Sequence, residues 1–208
     1  MSAKFKFVKS TQKGEKSTEI VQKSKDKRYG KKLMVLAIMT GRGVLPLQFI
    51  PPKVKINGKY YIDHVLIPLV SKWLPKLYPE GLDRVFVHHD VAPAHICSEA
   101  EKIMKKLSDS TKITFISKQD IPIKSPDASP LDFFGFGYLK QQLTQHKVKT
   151  LDDLRRTANR IWSGIPSELV LKVFRSWRRR LYLIDKNQGK HIEHVQKLHR
   201  KPLANYNQ

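Results

Sequence analysis

The stretch that most constrains the fold runs over residues 85–117. VFVHH (85–89) is a short β-branched and aromatic run, residues 96–107 carry apolar side chains at helical spacing, and KITFIS (112–117) is a second β-branched run. Strand, helix and strand at this spacing form a βαβ unit, whose two strands lie parallel in one sheet. The first strand ends on His88, His89 and Asp90 and the chain then turns at Pro93. That places the Asp90 carboxylate at the C-terminal edge of the sheet, where α/β proteins build their sites. A turn aspartate capping the next helix would stand in the same place, so position alone leaves site and cap open.

Upstream, LMVLAIM (33–39), the turn TGRG (40–43) and VLPLQFI (44–50) read as two strands joined by a tight hairpin. Pro46 argues that the second strand lies at an edge or a bulge. Residues 57–78 follow helical spacing through Tyr61, Val65, Leu69 and Trp73, interrupted near Pro68 and Pro75, and predict a kinked helix. Three further helices are predicted over 130–143, 150–162 and 167–184. The last has Leu169, Val173, Phe174, Trp177, Leu181 and Ile184 on one face, with Arg175, Arg178, Arg179 and Arg180 mostly around it.

Charge points to the partner. The chain has 208 residues, 40 Lys and Arg against 18 Asp and Glu, and a formal net charge of +22. Residues 1–32 hold 11 basic and 3 acidic side chains, residues 33–137 hold 13 and 10, and residues 138–208 hold 16 and 5. A nearly balanced middle with two basic ends suits a folded core that grips a polyanion, and counterion release favours nucleic acid as that polyanion. A small-metabolite enzyme has no use for such a charge. The expected organisation is a flexible basic segment over 1–32, a folded core over 33–145 and a basic helical segment over 146–208. Cys97 is the only cysteine, which excludes an intramolecular disulfide and fits a reducing compartment. The start MSAKFKFVKS has no apolar h-region, and no stretch approaches the roughly 18 apolar residues of a membrane span. KSKDKRYGKK (23–32) can serve as a nuclear address.

SPDASPLDFF (125–134) supplies the other acids. Ser129, Pro130 and Asp132 have the form of a helix start, with serine at the N-cap, proline at the first helical position and an acid at the third. This fixes the Asp132 carboxylate in a first helical turn, where a ligand contributed from a second element could stand. Asp127, after Pro126, reads as a turn residue. His88, His89 and His95 do not make a zinc set with Asp90, because adjacent strand residues point to opposite faces and the spacing matches no zinc signature.

HHDVAPAH (88–95) resembles the mariner-like transposase motif of an aspartate followed by x-Ala-Pro-x-His, and SPDASPLDFF resembles that family's Ser-Pro-Asp-x-x-Pro-x-Asp/Glu motif. FGYLKQQL (136–143), TLDDLRR (150–156) and GKHIEHV (189–195) follow in the family's order, so the likeness covers roughly residues 33–195. The resemblance implies an α/β, RNase H-like fold: a mixed sheet flanked by helices, with a helical basic C-terminal extension. It also implies a DDE/D site in which carboxylates hold divalent ions, Mg²⁺ or Mn²⁺, for DNA cleavage and strand transfer. Asp90 and Asp132 match the second and third acids, as catalytic residues and metal ligands, and Asp127 matches the motif's non-ligand aspartate.

The first acid of the family lies on a strand upstream of the hairpin. Here Glu15, Glu19 and Asp26 sit among lysines, and none ends an apolar run. The family's helix-turn-helix modules are absent too, so an N-terminally truncated copy is expected. Two functions therefore stand side by side: a transposase catalytic domain, inactive if the acid set is incomplete, or a non-catalytic nucleic-acid-binding protein derived from one. Either one binds DNA mainly through phosphates, acts in the nucleus, has no membrane partner and is compatible with a homo-oligomer. An unrelated ribosomal or chromatin protein would explain the charge but not the two aspartate motifs.

Overall fold

The computed structural model describes residues 2–6, 32–120 and 125–192. Its strands are β1 (Ser2–Lys6), β2 (Lys32–Leu36), β3 (Met39–Thr40), β4 (Gly43–Val44), β5 (Gln48–Ile50), β6 (Phe86–Val87) and β7 (Thr114–Phe115). The helical run α1 is built from Gly58–Tyr61, Ile62–Leu66, Leu69–Trp73 and Leu74–Leu77. Then come α2 (Ser98–Thr111), α3 (Leu131–Gly135 continuing as Phe136–Thr144), α4 (Leu151–Ser163) and α5 (Ser167–Lys186).

The predicted hairpin is present in two pieces. β2 pairs antiparallel with β5 and β3 with β4, around the turn between Thr40 and Gly43. Pro46 lies in the interruption between β4 and β5, as a residue without an N–H requires. LMVLAIM is apolar without alternation because both of its faces are covered. Leu33, Val35 and Ala37 pack with Leu139, Leu154 and Trp162 of α3 and α4, while Leu36 packs with Tyr61, Val65 and Leu66 of α1 and Met104 of α2. The architecture is three-layered, with α1 and α2 on one side of the strands and α3, α4 and α5 on the other.

Trp162 fastens the second layer. It is fully buried, and its indole Nε1–H donates to the Leu45 carbonyl at 2.8 Å across the hairpin interruption. Gly135 makes room for it: a Cβ there would stand 3.0 Å from Leu131 Cδ2 and 3.3 Å from the Trp162 ring. The βαβ unit also forms as predicted, with β6 parallel to β7 and the ladder extended by Thr114 N–H to Val85 O and Ile116 N–H to Val87 O. The kink expected in α1 takes the form of two wide turns, in which the N–H groups of Ile67 and Leu74 reach back five residues to Ile62 and Leu69. Pro68, lacking an N–H, sits between them.

One expectation needs correction. Residues 1–32 were expected to be flexible throughout, yet β1 pairs antiparallel with β2, from Ser2 opposite Leu36 to Lys6 opposite Lys32. Backbone pairing to an existing edge is enough to order SAKFK despite its lysines; residues 7–31 lie outside the described part. The strands form three small ladders, β1-β2-β5, β3-β4 and β6-β7. Between the 36–41 edge and the 84–89 run lies a cavity of about 320 Å³, floored by Tyr61 and Val65 of α1 and roofed by Phe174 and Trp177 of α5. Among the described residues, no helix is long and apolar enough to cross a membrane.

Candidate metal site at the strand edge

β6 ends at Val87 and delivers the next three residues to three different surroundings. His88 turns to the α5 side, edge-on to Trp177 with ring centroids 5.5 Å apart. His89 turns the other way and is buried, with its ring centroid 6.3 Å from that of Tyr61 and 5.6 Å from that of His95. This is the alternation that argued against a zinc set. Burial pushes both histidines toward the neutral form, His89 down to about 4, with the His95 ring adding to the effect. Among the described residues, the buried His89 Nδ1 atom has no hydrogen-bond partner.

Asp90 is held by His95. The turn at 92–95, closed by His95 N–H to Ala92 O at 2.8 Å, brings the buried imidazole back over the strand end. His95 Nδ1 lies 2.5 Å from Asp90 Oδ1 and 3.2 Å from the Asp90 carbonyl oxygen, while the ring packs on Tyr61 with centroids 4.1 Å apart. Burial alone would raise the Asp90 carboxyl, but the His95 hydrogen bond and charge outweigh it and hold the pKa at about 2. Asp90 is therefore ionised at any physiological pH, held by the His95 ring and by the Ala92 backbone. The helix-cap alternative fails for Asp90, because α2 starts at Ser98 with Cys97 as its N-cap.

Asp132 enters from the first turn of α3, as the Ser129-Pro130-x-Asp132 pattern predicted. The N–H groups of Asp132 and Phe133 both donate to Ser129 O at 3.0 Å, and the Ser129 and Asp132 side chains are hydrogen-bonded. Desolvation raises the Asp132 carboxyl, Ser129 opposes this, and the Asp90 charge raises it further. Asp132 is solvent-exposed. The Asp90 charge thus acts on Asp132 as a like charge does, favouring its neutral form.

Two carboxylates of which one is firmly ionised, with mutual repulsion that a cation would relieve, suit a hard divalent ion with oxygen ligands. Among the described residues, no group of three or more His, Cys, Asp or Glu is placed to hold a metal. β1 reads Ser2, Ala3, Lys4, Phe5 and Lys6 and contributes no acid; Glu15, Glu19 and Asp26 lie outside the described residues. The residues present therefore fit a two-carboxylate site.

Asp127, expected to be a simple turn residue, has a different role. It is only 2% exposed and accepts from Ile192 N–H at 3.0 Å, with His191 Nδ1 at 3.4 Å. The turn itself closes through backbone bonds, Ala128 N–H to Ser125 O and Ser129 N–H to Pro126 O. Local sequence could not disclose a partner 65 residues away.

No protein-family model and no curated protein sequence matches the chain. Solved structures do. A Mos1 transposase paired-end complex with the left transposon end superposes with a TM-score of 0.72 at 20% identity, over 93% of this chain and 55% of that one. The catalytic domain of Mos1 mariner transposase gives 0.64 at 18% identity, over 78% of this chain and 77% of that one. A Mos1 paired-end complex with Mn gives 0.70 at 18% identity, over 92% and 56%. The fold is thus the RNase H-like α/β fold of a DNA transposase catalytic domain, and the particular fold matched is that of the Mos1 mariner transposase. The chain spans about half the length of the full Mos1 transposase chain.

Proposed function

We propose that the chain is the catalytic region of a mariner-like transposase, binding DNA through its phosphates and holding a divalent ion, Mg²⁺ or Mn²⁺, between Asp90 and Asp132 for DNA cleavage and strand transfer. What supports this reading is that Asp90 follows β6 and Asp132 opens α3, with the Asp90 charge raising the Asp132 carboxyl, in the fold of a protein solved with transposon ends and with Mn. A bound ion would supply charge stabilisation at a phosphodiester oxygen. The protein's own contributions are distinct from that. His95 keeps Asp90 ionised and oriented, and Ser129 sets the Asp132 carboxylate at the start of α3. Arg175, Arg178 and Arg179, exposed on α5, offer charge to the DNA backbone without reading sequence. The place of action is the nucleus, with the basic run 23–32 as a candidate address.

A second reading, a DNA-binding protein without catalysis, is favoured by one observation: among the described residues no group of three or more His, Cys, Asp or Glu is placed to hold a metal. Binding and cleavage must therefore be measured separately. Affinity for double-stranded DNA should fall with salt at a logarithmic slope of about −0.9 per phosphate neutralised, and no binding at low salt sinks both readings. Mg²⁺-dependent cleavage of DNA ends that disappears in Asp90→Ala supports the catalytic reading. Equal background in the two proteins leaves the binding one.

A further inference from the structure

Beyond its arginines, α5 has an inner side that reaches both elements of the acid pair. Trp177 is half-buried there; its Nε1–H donates to Ala128 O at 2.8 Å, inside the SPD turn, while its ring meets His88, two residues before Asp90. One turn on, the Arg180 guanidinium lies 4.1 Å from the centroid of the Phe133 ring, beside Asp132, and its Nη1 stands 3.8 Å from Asp127 Oδ1.

The chain then reverses. Gln188 and Gly189 take positive φ angles of 54° and 78°, and Gly189 N–H closes on Ile184 O at 2.8 Å, a six-residue helix-ending turn. This sends residues 190–192 back along the helix. Ile192, fully buried, packs with Ala128 and Ile184, and its N–H reaches the Asp127 carboxylate. GKHIEHV thereby acquires a physical role: its His191 and Ile192 dock onto the loop that launches Asp132.

We propose that α5 and its returning end form a clasp that sets Asp132 relative to Asp90, with Asp127 and Trp177 as positioning residues that touch neither metal nor DNA. Asp127 is buried where a turn aspartate would be wet, because its carboxylate ties the returning chain to the SPD turn. Trp177 spans the two acid-bearing elements, so slack on one side of the clasp is transmitted to the other. The metal consequence rests on the proposed function above; the clasp itself does not.

The test uses the full chain, Mn²⁺ as the probe, and two variants. Trp177→Phe keeps the ring and removes the N–H donor; Asp127→Asn keeps the volume and removes the charge. Each is expected to weaken Mn²⁺ binding about tenfold, as loss of an outer hydrogen bond to a metal site commonly does, while affinity for duplex DNA stays within about twofold of the parent. Exchange of the Asp132 and Phe133 amides, read without metal, should accelerate in Trp177→Phe. Parent-like Mn²⁺ affinity in both variants overturns the clasp, as does a lowered melting temperature with no change in the ratio of Mn²⁺ to DNA affinity. If the parent itself binds no Mn²⁺, the metal reading falls and amide exchange alone decides. Equal exchange in parent and Trp177→Phe then overturns the clasp.

Discussion

His89→Phe should make the protein markedly more tolerant of acid. His89 is buried against Tyr61 and His95, and its pKa is lowered from 6.5 to about 4. In the unfolded chain the imidazole takes up a proton below about 6.5; in the folded chain it does not until about 4. The unfolded state therefore binds more protons through this window, and stability falls as pH drops from about 6.5, with no further loss below about 4. At about 1.4 kcal/mol per pKa step, the cost of His89 at pH 4.5 is roughly 2–3 kcal/mol. For a chain of this size that is a melting-point loss on the order of 5–10 °C. Phenylalanine fills nearly the same volume and carries no proton, and it removes a buried ring nitrogen that has no partner among the described residues. The assay is thermal unfolding of parent and variant at pH 7 and pH 4.5. The parent should lose about 5–10 °C more than the variant between the two. Equal losses would refute the reasoning, since they would mean that His89 titrates alike in both states.

Three further substitutions probe the frame. Thr150→Ala removes the side-chain oxygen that accepts from Asp153 N–H at 3.0 Å at the start of α4, and should cost about 1 kcal/mol, seen as a melting point lower by roughly 2–4 °C. Lys112→Gly should stabilise by about 0.5–1 kcal/mol, because Lys112 ends α2 in a left-handed conformation with φ of 66°; chemical denaturation would register it as a higher midpoint. Trp162→Ala empties the contact between α4 and the hairpin, leaves Leu45 O without its donor, and should cost about 3–5 kcal/mol in the same measurement.

Legibility in the sequence followed the range of the interactions. The βαβ unit, the hairpin and the helices came from local periodicity, and the structure has them within a few residues. Asp90 and Asp132 stand out in the sequence because each borders a patterned element, a β-branched run and a Ser-Pro helix start. β1 was not, since five residues with two lysines carry no strand signal until an edge at β2 receives them. The lengths of β6 and β7 were overread because VFVHH and KITFIS have strand composition beyond the two residues that each pairs. Asp127 was read as a turn residue because its neighbours Pro126 and Ser129 explain a turn completely, while its partners, exposed His191 and buried Ile192, come from the chain beyond α5. The wide turns in α1 had no sequence signal beyond Pro68.

The central claim is that Asp90 and Asp132 form one cation site, and Mn²⁺ binding to the full chain, followed by calorimetry or by loss of the free-ion paramagnetic signal, tests it most directly. The account predicts a bound ion in the parent that is lost alike in Asp90→Asn and Asp132→Asn, with both variants folded and still binding DNA. Mn²⁺ binding that survives either substitution unchanged, or its absence in the parent, would contradict it.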